Sequence, residues 1–272
     1  MFKTRYLLGA ALSMSLLSAS SFANTQTSDQ LDPALAEKGR QIFMETKKRD
    51  EGWVDFTADM LMVLRNDQDQ ESVREVKMKS LEQLPDRDKT LTIFNKPKDV
   101  KGTAFLSYSH VVGADDQWLF LPSIKRVKRI SSSNKSGPFM GSEFSFEDLS
   151  SFEIDKYTYQ YLADETVNGL DSFKVEQFPV DENSGYTRRI VWVDKDEYRI
   201  IKVDFYDRKN ALLKTLSYSK FELYLGQYWR ALNYDMENHQ TGKSTSLVWN
   251  NYAFKTGLKD SDFSRSSLKR AR

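Results

Sequence analysis

Residues 53–64 alternate strictly between two sets of side chains. Val54, Phe56, Ala58, Met60, Met62 and Leu64 fall on one side, and Trp53, Asp55, Thr57 and Asp59 fall between them. A period of two marks a strand with one buried face, because successive side chains leave a strand in opposite directions. The same rhythm returns to the end of the chain, broken by short turns. It predicts strands over residues 72–82, 90–94, 103–110, 117–121, 125–130, 173–180, 187–194, 198–206, 211–225, 228–239 and 244–255. A further strand carries Tyr157, Tyr159 and Tyr161 on one face. Asn168-Gly169 is a strong hairpin signal. Strands this numerous, joined by links this short, predict a mainly β (α+β) fold: one strongly curved antiparallel meander with helices on one face.

The alternation is preceded by one helix. Asp32-Pro33 supplies a cap and a first-turn proline, and Leu35, Gly39, Ile42, Phe43 and Thr46 then share a face, so a helix is predicted from Pro33 to about residue 48. After the last strand, residues 256–268 read as a short helical or irregular tail with Phe263 and Leu268 available to pack.

The N-terminus reads as a secretory signal. Lys3 and Arg5 precede an apolar run over residues 7–17, and Ser21 and Ala23 are small residues where a signal peptidase reads. Cleavage is expected after Ala23, leaving residues 24–272 as a single domain whose destination is the periplasm. No second long apolar run is present, so no membrane span is expected in the mature chain. Cysteine is absent altogether, which rules out disulfides and lipid attachment through a thiol. Losing Lys3 and Arg5 takes the formal charge from +1 to −1. That near-neutral balance, with no recognised motif, argues against a nucleic-acid partner.

Residues 117–149 break the pattern. A strand with Trp118 and Phe120 on one face leads past Pro122 into the basic run Lys125-Arg126-Val127-Lys128-Arg129. A Ser- and Gly-rich loop follows and runs into Phe144, Phe146 and Leu149. A loop of this length inside a compact domain tends to be functional or mobile. It reads either as an apolar lid hinged at Gly137 and Gly141 over a hydrophobic cavity, or as a surface loop before a short helix packed on an ordinary core. One or two weaker helices are expected around it. Met60 and Met62 likewise suit either a plain core or a cavity for a variable apolar ligand. The basic run suits anionic lipid headgroups, an acidic partner surface, or a solvated strand whose charges discourage edge pairing.

Reactive clusters are missing. His110 and His239 are the two histidines and lie far apart in sequence. No metal-spaced pair, nucleophile elbow, P-loop or dinucleotide fingerprint occurs. No catalytic residue, cofactor or metal is assigned, and the chain is expected not to be an enzyme. A histidine-based lipid hydrolase has no positive support, although triads assemble in space rather than in sequence.

The segments Thr90-Leu91-Thr92-Ile93-Phe94-Asn95-Lys96-Pro97, Lys101-Gly102-Thr103, Asp116-Gln117-Trp118-Leu119-Phe120-Leu121-Pro122, Lys125-Arg126-Val127-Lys128-Arg129-Ile130 and Gly137-Pro138-Phe139-Met140-Gly141-Ser142 together resemble the outer membrane lipoprotein-sorting family within the LolA-like superfamily. The resemblance spans essentially the whole mature chain. It implies an incomplete β-barrel whose concave side is closed by helices and holds acyl chains of a lipid or lipoprotein in transit between inner and outer membrane. On that basis the cavity is expected to be lined by Phe56, Met60, Met62, Tyr108, Trp118 and Phe120 and gated by Phe139, Met140, Phe144 and Phe146. The same resemblance suggests service to an inner-membrane exporter. A lipid hydrolase on the same scaffold, or a non-carrying partner of an envelope transporter, are the alternative readings.

Overall fold

The computed structural model describes residues 31–86 and 88–270. The signal segment expected over residues 1–23 lies outside them. Helix α1 spans Pro33–Arg49. The Asp32 carboxylate accepts from the amides of Ala34 at 2.9 Å and Leu35 at 3.3 Å, and Lys47, Lys48 and Arg49 occupy the last turn, where cations offset the helix dipole. The strands are β1 (Asp55–Arg65), β2 (Glu71–Leu81), β3 (Lys89–Lys96), β4 (Ala104–Tyr108), β5 (Asp116–Leu121), β6 (Arg126–Ile130), β7 (Tyr157–Val167), β8 (Leu170–Pro179), β9 (Tyr186–Asp194), β10 (Ile200–Asp207), β11 (Leu212–Tyr224), β12 (Tyr228–Asn238) and β13 (Ser244–Phe254); a short helix α2 (Arg265–Arg270) ends the described chain.

All thirteen strands join one sheet, in the order β6-β5-β4-β3-β2-β1-β13-β12-β11-β10-β9-β8-β7. Two meanders therefore meet where the first strand pairs with the last, Met60 opposite Trp249 and Met62 opposite Leu247. The pairing slips by one residue between Thr57 and Asp59 at Asn251, which has φ 54°, and bulges of this kind add curvature. The free edges are β6 and β7, and residues 131–156 connect them. That link has to cross the width of the sheet, and it does so over the concave face. The weak helices expected there are single 3₁₀ turns, at Ser132–Asn134, Phe139–Gly141, Glu147–Leu149 and Ile154–Lys156.

Each face of the sheet has its own core. Phe56, Met60, Met62, Phe94, Phe105, Phe139, Phe144, Phe146, Met236 and Leu247 belong to the concave core. Ile93, Leu106, Phe120, Phe263 and Leu268 form a smaller core on the other side, where the C-terminal tail packs as expected. Helix α1 lies on β7 and β8 at the concave side. Gly39 allows that close approach: a Cβ there would sit 3.0 Å from the Tyr159 Cβ and 3.2 Å from Val175.

The alternation misreads one end of β1. Val54 is exposed and Trp53 is buried, because Val54 takes φ 70° and turns the chain before the strand begins. Trp53 then packs 5.1 Å from Phe56. The basic run falls on the edge strand β6 from Arg126 onward, with Lys125 just ahead of it, and Lys125, Arg126, Lys128 and Arg129 are all exposed.

Candidate functional site: an apolar cavity under the crossing segment

Between the concave face and the crossing segment lies a cavity of about 670 Å³, partly open to solvent. Ligand pockets generally fall in the range of roughly 300–1,000 Å³. The floor comes from the strands around the β1–β13 seam: Phe56, Met60 and Met62 of β1, Met78 of β2, Phe105 of β4, and Tyr234, Leu247, Trp249 and Tyr252 of β12 and β13. The roof is Phe139, Phe144, Leu149 and Phe152 from the crossing segment. Thr46, Lys48, Arg49 and Asp50, at the end of α1, reach one side.

Ring packing and buried polar contacts hold the roof in place. Phe139 lies 5.2 Å from Phe105, 5.5 Å from Phe146 and 5.8 Å from Phe94. Phe152 meets Phe43 of α1 at 5.3 Å, and Lys47 pairs with Glu153, so helix and segment close on each other. Gln117 is buried in β5 and donates to the Phe146 carbonyl at 3.1 Å and to Ser150 at 3.2 Å. On the opposite flank Lys214 of β11 pairs with Asp148 and donates to the Glu143 carbonyl at 2.8 Å. Tyr186 donates to Asp148 at 2.8 Å. Glu147 accepts from the Gly185 amide at 2.9 Å and from Ser184 at 3.0 Å. Burial, with Asp148 beside it, pushes the Glu147 carboxyl above its ordinary range. Gly141 has φ 77° and open space around it; Gly137 has the Asn134 carbonyl 3.2 Å from where a Cβ would stand.

The structure divides the residues expected to form this site. Phe56, Met60, Met62, Phe139 and Phe144 line the cavity together. Met140 and Phe146 pack in the concave core beside it. Tyr108, Trp118 and Phe120 do not line the cavity, which corrects the expectation for them. The register sets Ala104 opposite Phe120 and Leu106 opposite Trp118, and this face of β4 and β5 is the one covered by the tail. Tyr108 donates to the Phe263 carbonyl and packs 5.0 Å from Trp118. Their neighbours Phe105 and Leu119 face the concave core instead. Strands buried on both faces, as β4 is from Ala104 to Ser107, carry no alternation that says which side holds the hollow.

Alternation alone also passed over Trp53, Leu216, Tyr218, Arg230, Tyr234, Trp249 and Tyr252. For Tyr218, Tyr234, Trp249 and Tyr252 the available signal was the density of aromatics through the last three strands. Neither histidine lines the cavity. His110 lies beside Asp116 at 3.2 Å and Asp86 at 3.5 Å, and His239 contacts Thr215 at 2.8 Å. Among the described residues no group of three or more His, Cys, Asp or Glu could hold a metal ion, and no helix is long and apolar enough to cross a membrane.

Comparison with known proteins places this architecture. A family model described as "Uncharacterized protein" matches residues 86–270. No curated protein matches. A solved domain described as an outer membrane lipoprotein-sorting protein of Vibrio parahaemolyticus is 60% identical, with a TM-score of 0.85 over 86% of this chain and 100% of that one. A DUF1329 family protein from Desulfovibrio piger is 29% identical, with a TM-score of 0.82 over 86% of this chain and 99% of the other. A LolA superfamily protein from Nitrosomonas europaea, 20% identical, shares the fold with a TM-score of 0.68 over 84% of this chain and 98% of its own. With its curved thirteen-stranded sheet, its roofed concave face and that degree of identity, the chain belongs to the outer membrane lipoprotein-sorting protein family and carries the LolA-like fold.

Proposed function

We propose that the protein is an exported carrier that shelters acyl chains of a lipid or lipoprotein in the cavity beneath residues 131–156. The observation that carries this reading is the hollow itself: an apolar floor of Phe56, Met60, Met62 and Leu247 faces an apolar roof of Phe139 and Phe144 across unfilled space. An acyl chain entering it gains about 0.8 kcal/mol per buried CH₂, so ~15 methylenes gain on the order of 12 kcal/mol before association and ordering costs are subtracted. A carrier must also release its load, and a roof held by a few defined contacts is suited to parting from the sheet.

This reading takes cleavage after Ala23, residues 24–272 as one lipid-binding domain, and the periplasm as its compartment. It needs no catalytic group, in keeping with two histidines that both lie away from the cavity. Service to an inner-membrane exporter belongs to the same reading. The test is native mass spectrometry of protein purified from membranes, alongside titration with a fluorescent fatty acid. A co-purifying lipid and saturable fluorescence are expected. Ligand-free protein that takes up no fatty acid would end the proposal.

A further inference from the structure

The cavity wall is mainly apolar but is interrupted by polar side chains, and one group of them gathers around Trp249. Trp249 is 8% exposed and lines the cavity, and its indole N–H is buried without a hydrogen-bond partner. Tyr234 lies 5.7 Å from Trp249, and Tyr252 lies 6.0 Å from it. Tyr218 meets Tyr234 edge to face at 4.7 Å. These three tyrosines also line the cavity. Burial raises the pKa of each, so they stand there as neutral donors.

Arg230 completes the group. Its side chain is 11% exposed, lines the same cavity, and sits 5.5 Å from the Phe254 ring and 5.9 Å from Phe56. Its charge is felt by both Tyr234 and Tyr252. One terminal nitrogen serves Asp50 and the Trp229 carbonyl. The remaining N–H groups of the guanidinium have no partner among the described residues, and a guanidinium carries five. Within this group the Trp249 indole N–H is buried without a partner, and such a donor costs stability unless something accepts from it. A hydrocarbon cannot accept; a carboxylate or an acyl carbonyl can.

We propose that this part of the cavity is a seat for the oxygen-bearing end of an acyl chain, held by Arg230, Tyr234, Tyr252 and Trp249, with the hydrocarbon lying toward Met62, Phe105 and Phe139. The proposal rests on the carrier reading above and adds that the cargo is chosen by its head as well as by its grease. Guanidinium and phenol donors match either a free fatty carboxylate or the carbonyl of an acyl ester, since both present oxygen at the end of the chain.

The test uses the mature protein with N-phenyl-1-naphthylamine as a fluorescent reporter, displaced by myristate, methyl myristate or tetradecane. Myristate is expected to displace it at a concentration roughly tenfold below that of tetradecane, the scale of a hydrogen bond to a charged group. Equal potency of the methyl ester assigns the seat to an acyl carbonyl, and weaker potency of the ester assigns it to a carboxylate. Arg230→Gln, and independently Tyr234→Phe with Tyr252→Phe, should erase the preference for myristate over tetradecane measured on the same variant. The double phenylalanine variant keeps ring volume, so it reads the seat even where Arg230→Gln fails to fold. Equal potency of acid and alkane on the unaltered protein, or a preference untouched by both variants, overturns the seat and leaves the carrier standing. A reporter that never binds overturns the carrier reading itself.

Discussion

Lys214 on β11 and Asp148 in the crossing segment form an ion pair 2.6 Å apart, with side chains only 5% and 3% exposed. Neither charge can recover the other's company from water. Removing one partner strands the other, which costs about 3–5 kcal/mol, whereas replacing both is far milder. Lys214→Met is therefore expected to lower stability by about that amount in urea unfolding. Combining it with Asp148→Asn should restore most of the loss. An additive double variant would show that the pair does not couple the segment to the sheet.

Ala231 is 4% exposed and lines the cavity. Ala231→Phe should consume cavity volume and weaken fatty-acid binding by at least tenfold, on the order of 1.4 kcal/mol, with the circular dichroism spectrum unchanged. Undiminished binding would place the ligand elsewhere.

The tail gives a control on the opposite face. Phe263 is fully buried beneath β4 and β5, away from the cavity. Phe263→Ala is expected to cost about 3–5 kcal/mol, measured by chemical denaturation, while acyl binding measured under native conditions stays as it was. Loss of binding without loss of stability would contradict the separation of the two cores.

Asp88 provides a pH signature. Burial pushes its carboxyl up to about 6, against the hydrogen bond it accepts from the Gln83 amide at 2.7 Å. The folded chain thus holds a proton that the unfolded chain gives up near pH 4. Asp88 costs stability above pH 6, and the cost fades as the pH falls from about 6 to about 4. Asp88→Asn keeps an acceptor for Gln83. It should be more stable than the unaltered protein at pH 8 and equal to it at pH 4. Identical melting curves at both values would reject the assignment.

Strand count, helix α1 and the tail could be read from the chain because each rests on a local rule. Asp32-Pro33 caps a helix wherever it occurs, and Phe56, Ala58, Met60 and Met62 declare one buried face. The cavity was half legible for the same reason. β1 has a clear inside, so Phe56, Met60 and Met62 were placed there. β4 is sealed on both sides, and nothing in Ala104-Phe105-Leu106 tells which neighbour borders the vacant space. Tyr108, Trp118 and Phe120 went to the wrong side because the tail that covers them, more than a hundred residues downstream, leaves no mark on their own spacing. Arg230 was missed because one cation in a long strand looks like a solvated residue until the fold curls around it.

Pairing β1 with β13 has a consequence for how such a chain comes into being. The strand that ends up mid-sheet is made early, and its second neighbour is nearly the last to arrive. Through all the intervening synthesis one flank of β1 offers unsatisfied amides and carbonyls beside a greasy surface, an invitation to any passing extended peptide. That flank of β1 closes only when β13 is in place beside it.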